Sequence, residues 1–421
     1  MQNYHIMSKS ELQDELQSLQ ARYENIRSLH LALDMTRGKP CADQLDLSMG
    51  LLSRETTRSK AGADCRNYGI LDGLPEMKKL FAELLGVSEN EVFVGGNSSL
   101  NLMHDLITNA LLMGVGEGKT PWSRQGKLKF LCPVPGYDRH FAITEKFGFE
   151  MIPVPTNEHG PVMDTVEELV KDPSVKGIWC VPKYANPTGI TYSDEVVRRF
   201  AALKPAADDF RIFWDNAYAI HDLNDTPDTL LNIFDVCKEQ GSEDMVYEFF
   251  STSKISFPGA GVACFAASEH NLAWLKKQFS VQTIGYDKLN QLRHLDFFND
   301  ADGVREQMQK HKALIAPKFA LVLDILDKSL SDAGIASWTK PNGGYFISFD
   351  EEGCASRIIS LAAEAGLKIT PAGSTYPYHR DPEDKNLRIA PTLPETEDLK
   401  KAAELFCLCA RIAAIEKILT K

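Results

Sequence analysis

Between residues 47 and 284 short apolar runs alternate with helical stretches, and no other feature limits the fold of this chain so strongly. The runs at 128–132, 151–154, 178–181 and 246–250 have strand length, and the segments between them are long enough to return the chain as helices. This alternation predicts an α/β architecture: a mostly parallel sheet covered by helices on both faces. Ahead of it, Ser8 and Glu11 have capping-box spacing. Leu12, Leu16, Leu19, Tyr23, Ile26 and Leu29 then recur at steps of three and four, which predicts an amphipathic helix over 8–33. Behind it lie a helical stretch at 301–330, a hairpin pattern at 337–339 and 345–349 split by Pro341-Asn342-Gly343-Gly344, and helices around 355–365 and 395–419. The expected division is a large domain of 47–290 and a smaller α+β domain built from 1–46 and 291–421.

At 421 residues the chain exceeds the length at which one core keeps growing, so two domains sharing a cleft are expected. Its 58 acidic and 46 basic residues leave a net charge of −12, which argues against a nucleic-acid surface. No signal-type leader precedes Ser8 and no apolar run is long enough for a membrane helix, so a cytoplasmic protein is expected. The nine cysteines are scattered without zinc-ligand spacing, as reduced thiols would be, and no metal site is expected. The glycine-rich Gly114-Val115-Gly116-Glu117-Gly118-Lys119 lacks the strand-to-helix setting of a nucleotide loop and reads as the end of a helix.

Ser251-Thr252-Ser253-Lys254 places one lysine among hydroxyls directly after a strand-like run. A lysine amine attacks carbonyls only when unprotonated, which burial or a neighbouring positive charge favours, and the hydroxyls suit a phosphate. Alone, such a tetrapeptide is usually a solvated loop. Its meaning comes from other segments: Tyr68 in 68–75, Asn186-Pro187-Thr188-Gly189 and Asp215-Asn216-Ala217-Tyr218 after apolar runs, and Asn386-Leu387-Arg388-Ile389-Ala390 far downstream.

Together these segments resemble the pyridoxal-phosphate-dependent aminotransferases of class I, fold type I, over nearly the whole chain. Residues 34–40 and 287–294 are similar to the divergent bacterial aspartate aminotransferases typified by corynebacterial enzymes. The resemblance implies an aldimine of pyridoxal 5'-phosphate at Lys254. It further implies a ping-pong transfer from aspartate to 2-oxoglutarate, in which the freed amine is base and acid at the substrate α-carbon. It places Asp215 at the pyridine nitrogen, Tyr218 and Asn186 at the phenolic oxygen, Tyr137 on the ring face and His140 behind Asp215. Gly96, Asn97, Ser98 and Ser99, which open a helix over about 98–113, would hold the phosphate with Ser251 and Ser253. Most class I members carry an arginine eight residues after the lysine, and here that position is Val262. Tyr68 of the partner subunit is implied at the phosphate, which makes the chain an obligate homodimer.

For the substrates, an amino acid and a 2-oxo acid, Arg388 is implied at the α-carboxylate, with the backbone at Gly38 closing over it. Arg37, Arg139 and Arg293 are candidates for a second carboxylate, and sequence does not choose among them. Other readings are a transaminase for alanine or an aromatic amino acid, a fold type I lyase, or the ligand-sensing domain of a transcription regulator. The last needs a winged-helix domain, for which the single N-terminal helix leaves no room.

Overall fold

The computed structural model describes residues 3–420. The capping box closes at the start of α1 (Lys9–Arg27): Ser8 Oγ accepts from the Glu11 amide, and the Glu11 carboxylate accepts from the Ser8 amide at 2.7 Å. The helix is shorter than its periodicity predicts. The chain turns at His30, whose φ is 49°, and extends into β1 (Leu33–Asp34), which leaves Leu29 66% exposed instead of on the apolar stripe.

α2 (Ala42–Asp46) and α3 (Pro75–Leu85) precede β2 (Val92–Val94). α4 (Ser99–Met113) ends on Gly114, whose φ of 86° suits glycine, so the glycine-rich segment does close a helix. There follow β3 (Lys129–Val134), α5 (Asp138–Lys146), β4 (Glu150–Asn157), β5 (Gly160–Pro161), α6 (Met163–Leu169), β6 (Val175–Cys180), α7 (Asp194–Ala201), β7 (Arg211–Asp215), α8 (Ile233–Gln240), β8 (Val246–Ser251), β9 (Ala263–Ala266) and α9 (Glu269–Gln282).

The strands form one sheet in the order β2-β9-β8-β7-β6-β3-β4-β5. It is parallel from β8 through β4 and antiparallel at both edges, so the predicted parallel sheet is its centre. Successive strand residues point to opposite faces. Phe130, Phe213 and Phe249 pack with residues of α4, α5 and α9, while Leu131, Ile212 and Trp214 pack with residues of α6, α7 and α8. Because the central strands are parallel, β3, β6, β7 and β8 all end on one rim, where open α/β sheets take their ligands.

A third core beside the sheet joins Leu80 and Phe81 of α3 to Phe250, Val262 and Cys264. It also takes in Leu292 of α10 (Lys288–Phe298) and Met308 of α11 (Ala301–Leu330). α11 runs on into a fourth core. There α1 and α11 meet β10 (Ser337–Trp338), β11 (Ile347–Asp350), α12 (Ala355–Glu364), β12 (Leu367–Lys368), β13 (Asn386–Ile389) and α13 (Thr396–Thr420). β10, β11 and β13 are antiparallel neighbours, and β1 lies parallel to β12. All nine cysteines are buried and unpaired, and among the described residues no helix is long and apolar enough to cross a membrane.

Candidate active site

Lys254 ends a single helical turn that begins where β8 stops. Its Nζ lies 4.7 Å from the centroid of the buried Tyr218 ring. Burial lowers the amine below its ordinary lysine value, opposed by the attraction of the Asp215 carboxylate. Burial also raises the Tyr218 phenol well above its usual range, so it stays a neutral donor. Asp215 is the last residue of β7. Its Oδ2 lies 2.9 Å from His140 Nε2, while its Oδ1 is buried without a hydrogen-bond partner. His140 is itself locked, stacked on Trp179 at 4.5 Å and edge-on to Tyr137 at 4.9 Å.

Arg388, on β13, enters the same cleft from the other core. Its guanidinium sits 4.8 Å from the Phe346 ring centroid, and its Nη1 donates to Asn186 Oδ1 at 3.3 Å and to Asp138 Oδ1 at 2.8 Å. A side chain at Gly38 would collide with that Phe346 ring, its Cβ falling 2.2 Å from Cζ, so only glycine lets this loop lie so close. Thr370 ties the same loop to the arginine, donating to Thr36 O at 2.9 Å and accepting from Arg388 Nη2 at 3.5 Å.

Opposite, Ser251 Oγ donates to Ser253 Oγ at 3.1 Å, and Ser253 Oγ donates to Asn97 O at 3.4 Å. That brings Gly96, Asn97, Ser98 and Ser99 to the lysine turn. Ser98 caps α4 without a side-chain bond, which leaves first-turn amides aimed at any anion there. Val262 does not face this cradle; it is buried in the third core. Its neighbour Gly261 does, since a Cβ there would lie 3.1 Å from Asn97 O and 3.3 Å from the Ser253 amide nitrogen.

Four of the residues singled out from sequence are exposed. Arg37, Arg139 and Arg293 are exposed and have no ion-pair partner among the described residues, and Tyr68 is 83% exposed. Conversely, sequence reasoning missed Asp138, Phe346 and Thr370 around Arg388, and Tyr345 and His311 behind the lysine. Tyr345 Oη donates to Lys254 O at 3.4 Å, and His311 Nε2 lies 3.0 Å from Ile255 O. Only Asp138 carried a signal, its place beside Tyr137.

The family model described as aspartate amino-transferase matches residues 7–421. This chain belongs to that family. The aminotransferase is 46% identical to the aspartate aminotransferase of Corynebacterium glutamicum, over 99% of each chain. The crystal structure of an aspartate transaminase from that organism superposes with a TM-score of 0.96, again covering 99% of each chain. A Mycolicibacterium smegmatis protein is 51% identical over 97% of this chain and 96% of its own. At 20% identity, the Thermus thermophilus α-aminoadipate aminotransferase complexed with N-(5'-phosphopyridoxyl)-L-leucine shares the fold with a TM-score of 0.70, covering 92% of this chain and 93% of that one. The aminotransferase therefore has the α/β fold of type I, in a family whose members depend on pyridoxal phosphate.

Proposed function

We propose that this aminotransferase holds pyridoxal phosphate at Lys254 and moves the amino group of L-aspartate to 2-oxoglutarate. We further propose that it works as a cytoplasmic homodimer with a large domain of 47–290 and a small one of 1–46 and 291–421. The observation that carries the cofactor reading is the buried, unpartnered Asp215 Oδ1, one strand over from a desolvated lysine amine. The donor set fits the group. Asp215 suits a protonated ring nitrogen, Tyr218 and Asn186 an anionic oxygen, Tyr137 a ring face, and the Ser251, Ser253 and α4 amide cradle a phosphate.

Pyridoxal phosphate bound here supplies an electron sink that labilises the proton on the α-carbon of an amino acid. The chain's own residues do the rest. Arg388 binds the α-carboxylate through its planar fork, and Gly38 closes over it. Lys254 carries the α-proton, which requires the neutral amine that burial favours. Asp215, held by His140, keeps a positive charge on the ring nitrogen. Preference for aspartate is supported by the 46% identical aspartate aminotransferase and by the uncompensated Arg37, Arg139 and Arg293, any of which suits a second carboxylate. Nine buried free thiols agree with a reducing compartment.

The test is direct. L-aspartate and 2-oxoglutarate should yield oxaloacetate and glutamate, and borohydride should fix the cofactor to the peptide containing Lys254. Ammonia and pyruvate as products, or label on another lysine, would end the reading.

A further inference from the structure

Arg388 already has a carboxylate on it. Asp138 Oδ1 accepts from Nη1 at 2.8 Å, and this is the one ion pair Arg388 makes among the described residues. A buried guanidinium without a counterion is costly, and Asp138 stands at the first position of α5, where the helix N-terminus favours an anion. The pair is lopsided. Asp138 occupies one arm of the fork, while Nε is buried with no partner and Nη2 has only the 3.5 Å contact with Thr370. The Nε and Nη2 edge is thus the one left without a charge partner. The Asp138 side chain is 28% exposed against 8% for Arg388, so it has a route toward solvent.

We infer that Asp138 is the resident counterion of the substrate-carboxylate site, a specificity-setting residue that neutralises and orients Arg388 in the free enzyme and weakens its grip on an incoming carboxylate. The inference rests on Arg388 being the α-carboxylate partner. Its logic is electrostatic: an α-carboxylate on Arg388 must share one guanidinium with Asp138 or push it aside, and like charges a few ångströms apart repel. Asp138 therefore keeps amino-acid affinity low while preserving the fork's direction. A residue that merely propped Arg388 would act with the opposite sign, because its removal would loosen the fork and weaken binding.

The measurement is the dissociation constant of succinate, an unreactive dicarboxylate, for the purified holoenzyme by titration calorimetry, with KM for L-aspartate alongside. Asp138→Asn keeps an oxygen to accept from Nη1 but removes the charge. Succinate should bind about tenfold more tightly, and KM for aspartate should fall in parallel. Asp138→Ser, which removes the charge by a different route, should tighten binding in the same direction. Arg388→Lys, which loses the planar fork, should weaken succinate binding instead. If Arg388→Lys weakens binding but both Asp138 variants leave it unchanged or weaker, the counterion role is wrong and the carboxylate site stands. If Arg388→Lys binds succinate as the native protein does, the assignment of Arg388 itself fails, and the counterion role with it.

Discussion

Burial and charge act against each other on Lys254. Desolvation pushes protons off the amine and Asp215 pulls them back, with desolvation the larger effect, so the lysine is poised to exchange a proton and not fixed as a surface cation. Asp215 is itself buried, and the imidazole of His140 lies 2.9 Å from its Oδ2. Asp215→Ala should therefore lower turnover by about a thousandfold or more while the cofactor still binds through Lys254 and the phosphate cradle. Steady-state kinetics beside the visible absorbance of the purified variant would check this, and turnover near that of the native protein would sink the role. Residues of this kind were legible in the sequence because each sits in a short local pattern at a strand end: Lys254 after β8, Asp215 closing β7, Asn186 beyond β6. Asp138 carried only its place beside Tyr137, because its meaning depends on Arg388, 250 residues away. The position of the missing arginine carried no such contact in the sequence either. Counting from the lysine reaches Val262, whose side chain is buried in the third core, while its neighbour Gly261 lies against Asn97 O and the Ser253 amide.

Three elements clamp the turn that carries Lys254. From α10, His294 Nε2 lies 2.8 Å from Ser256 Oγ and 3.2 Å from Thr252 Oγ1, while Thr252 Oγ1 also accepts the Val262 amide at 2.9 Å. From α11, His311 Nε2 faces Ile255 O at 3.0 Å, and from α2, Gln44 Nε2 lies 2.9 Å from His311 Nδ1 and 3.0 Å from Tyr345 Oη. Both histidines are neutral in the fold, pushed down from 6.5 to about 4 by burial. The unfolded chain binds protons there near pH 6.5 while the folded chain does not until about 4. Stability is therefore complete above pH 6.5 and falls as the pH drops from 6.5 toward 4, by roughly 1–3 kcal/mol per histidine. The urea midpoint should be lower at pH 5 than at pH 7.5, and the drop should shrink in His294→Asn. A midpoint independent of pH over that range in the native protein would refute it. At this scale the long periodic helix 301–330 was predicted end to end, whereas α1 was overrun by six residues because Leu29 and Leu33 keep the helical step after the backbone has turned at His30. The edge strands of the sheet were harder still, since whether a strand pairs parallel or antiparallel is decided by neighbours distant in sequence.

At the scale of the whole molecule, the loop carrying Tyr68 is built to project. Ile70 holds a φ of 58°, which a β-branched residue seldom adopts, and Gly69 and Gly73 hold φ of 103° and 96°. The buried Lys288 amine donates to Gly69 O at 2.8 Å, and Gly285 approaches the same carbonyl so closely that a Cβ would lie 2.5 Å from it. This fixes the loop of the exposed tyrosine against the segment that follows Ile284, itself 61% exposed, and leaves the ring without a use inside its own chain. In the proposed homodimer a second copy would give it one. If the Ser251, Ser253 and α4 cradle holds the phosphate as proposed, it offers amides and hydroxyls and no arginine at position 262, and a hydroxyl from Tyr68 of the partner subunit would complete it. Sedimentation at micromolar concentration should then show a dimer. Mixing Tyr68→Phe chains with Lys254→Ala chains should recover activity, since half the dimers become hybrids with one fully native site in two, about a quarter of the native level for a symmetric pair. Tyr68→Phe alone should release pyridoxal phosphate more readily on dialysis. Full activity in a monomer, or no recovery on mixing chains shown to exchange subunits, would mean that Tyr68 serves only its own subunit.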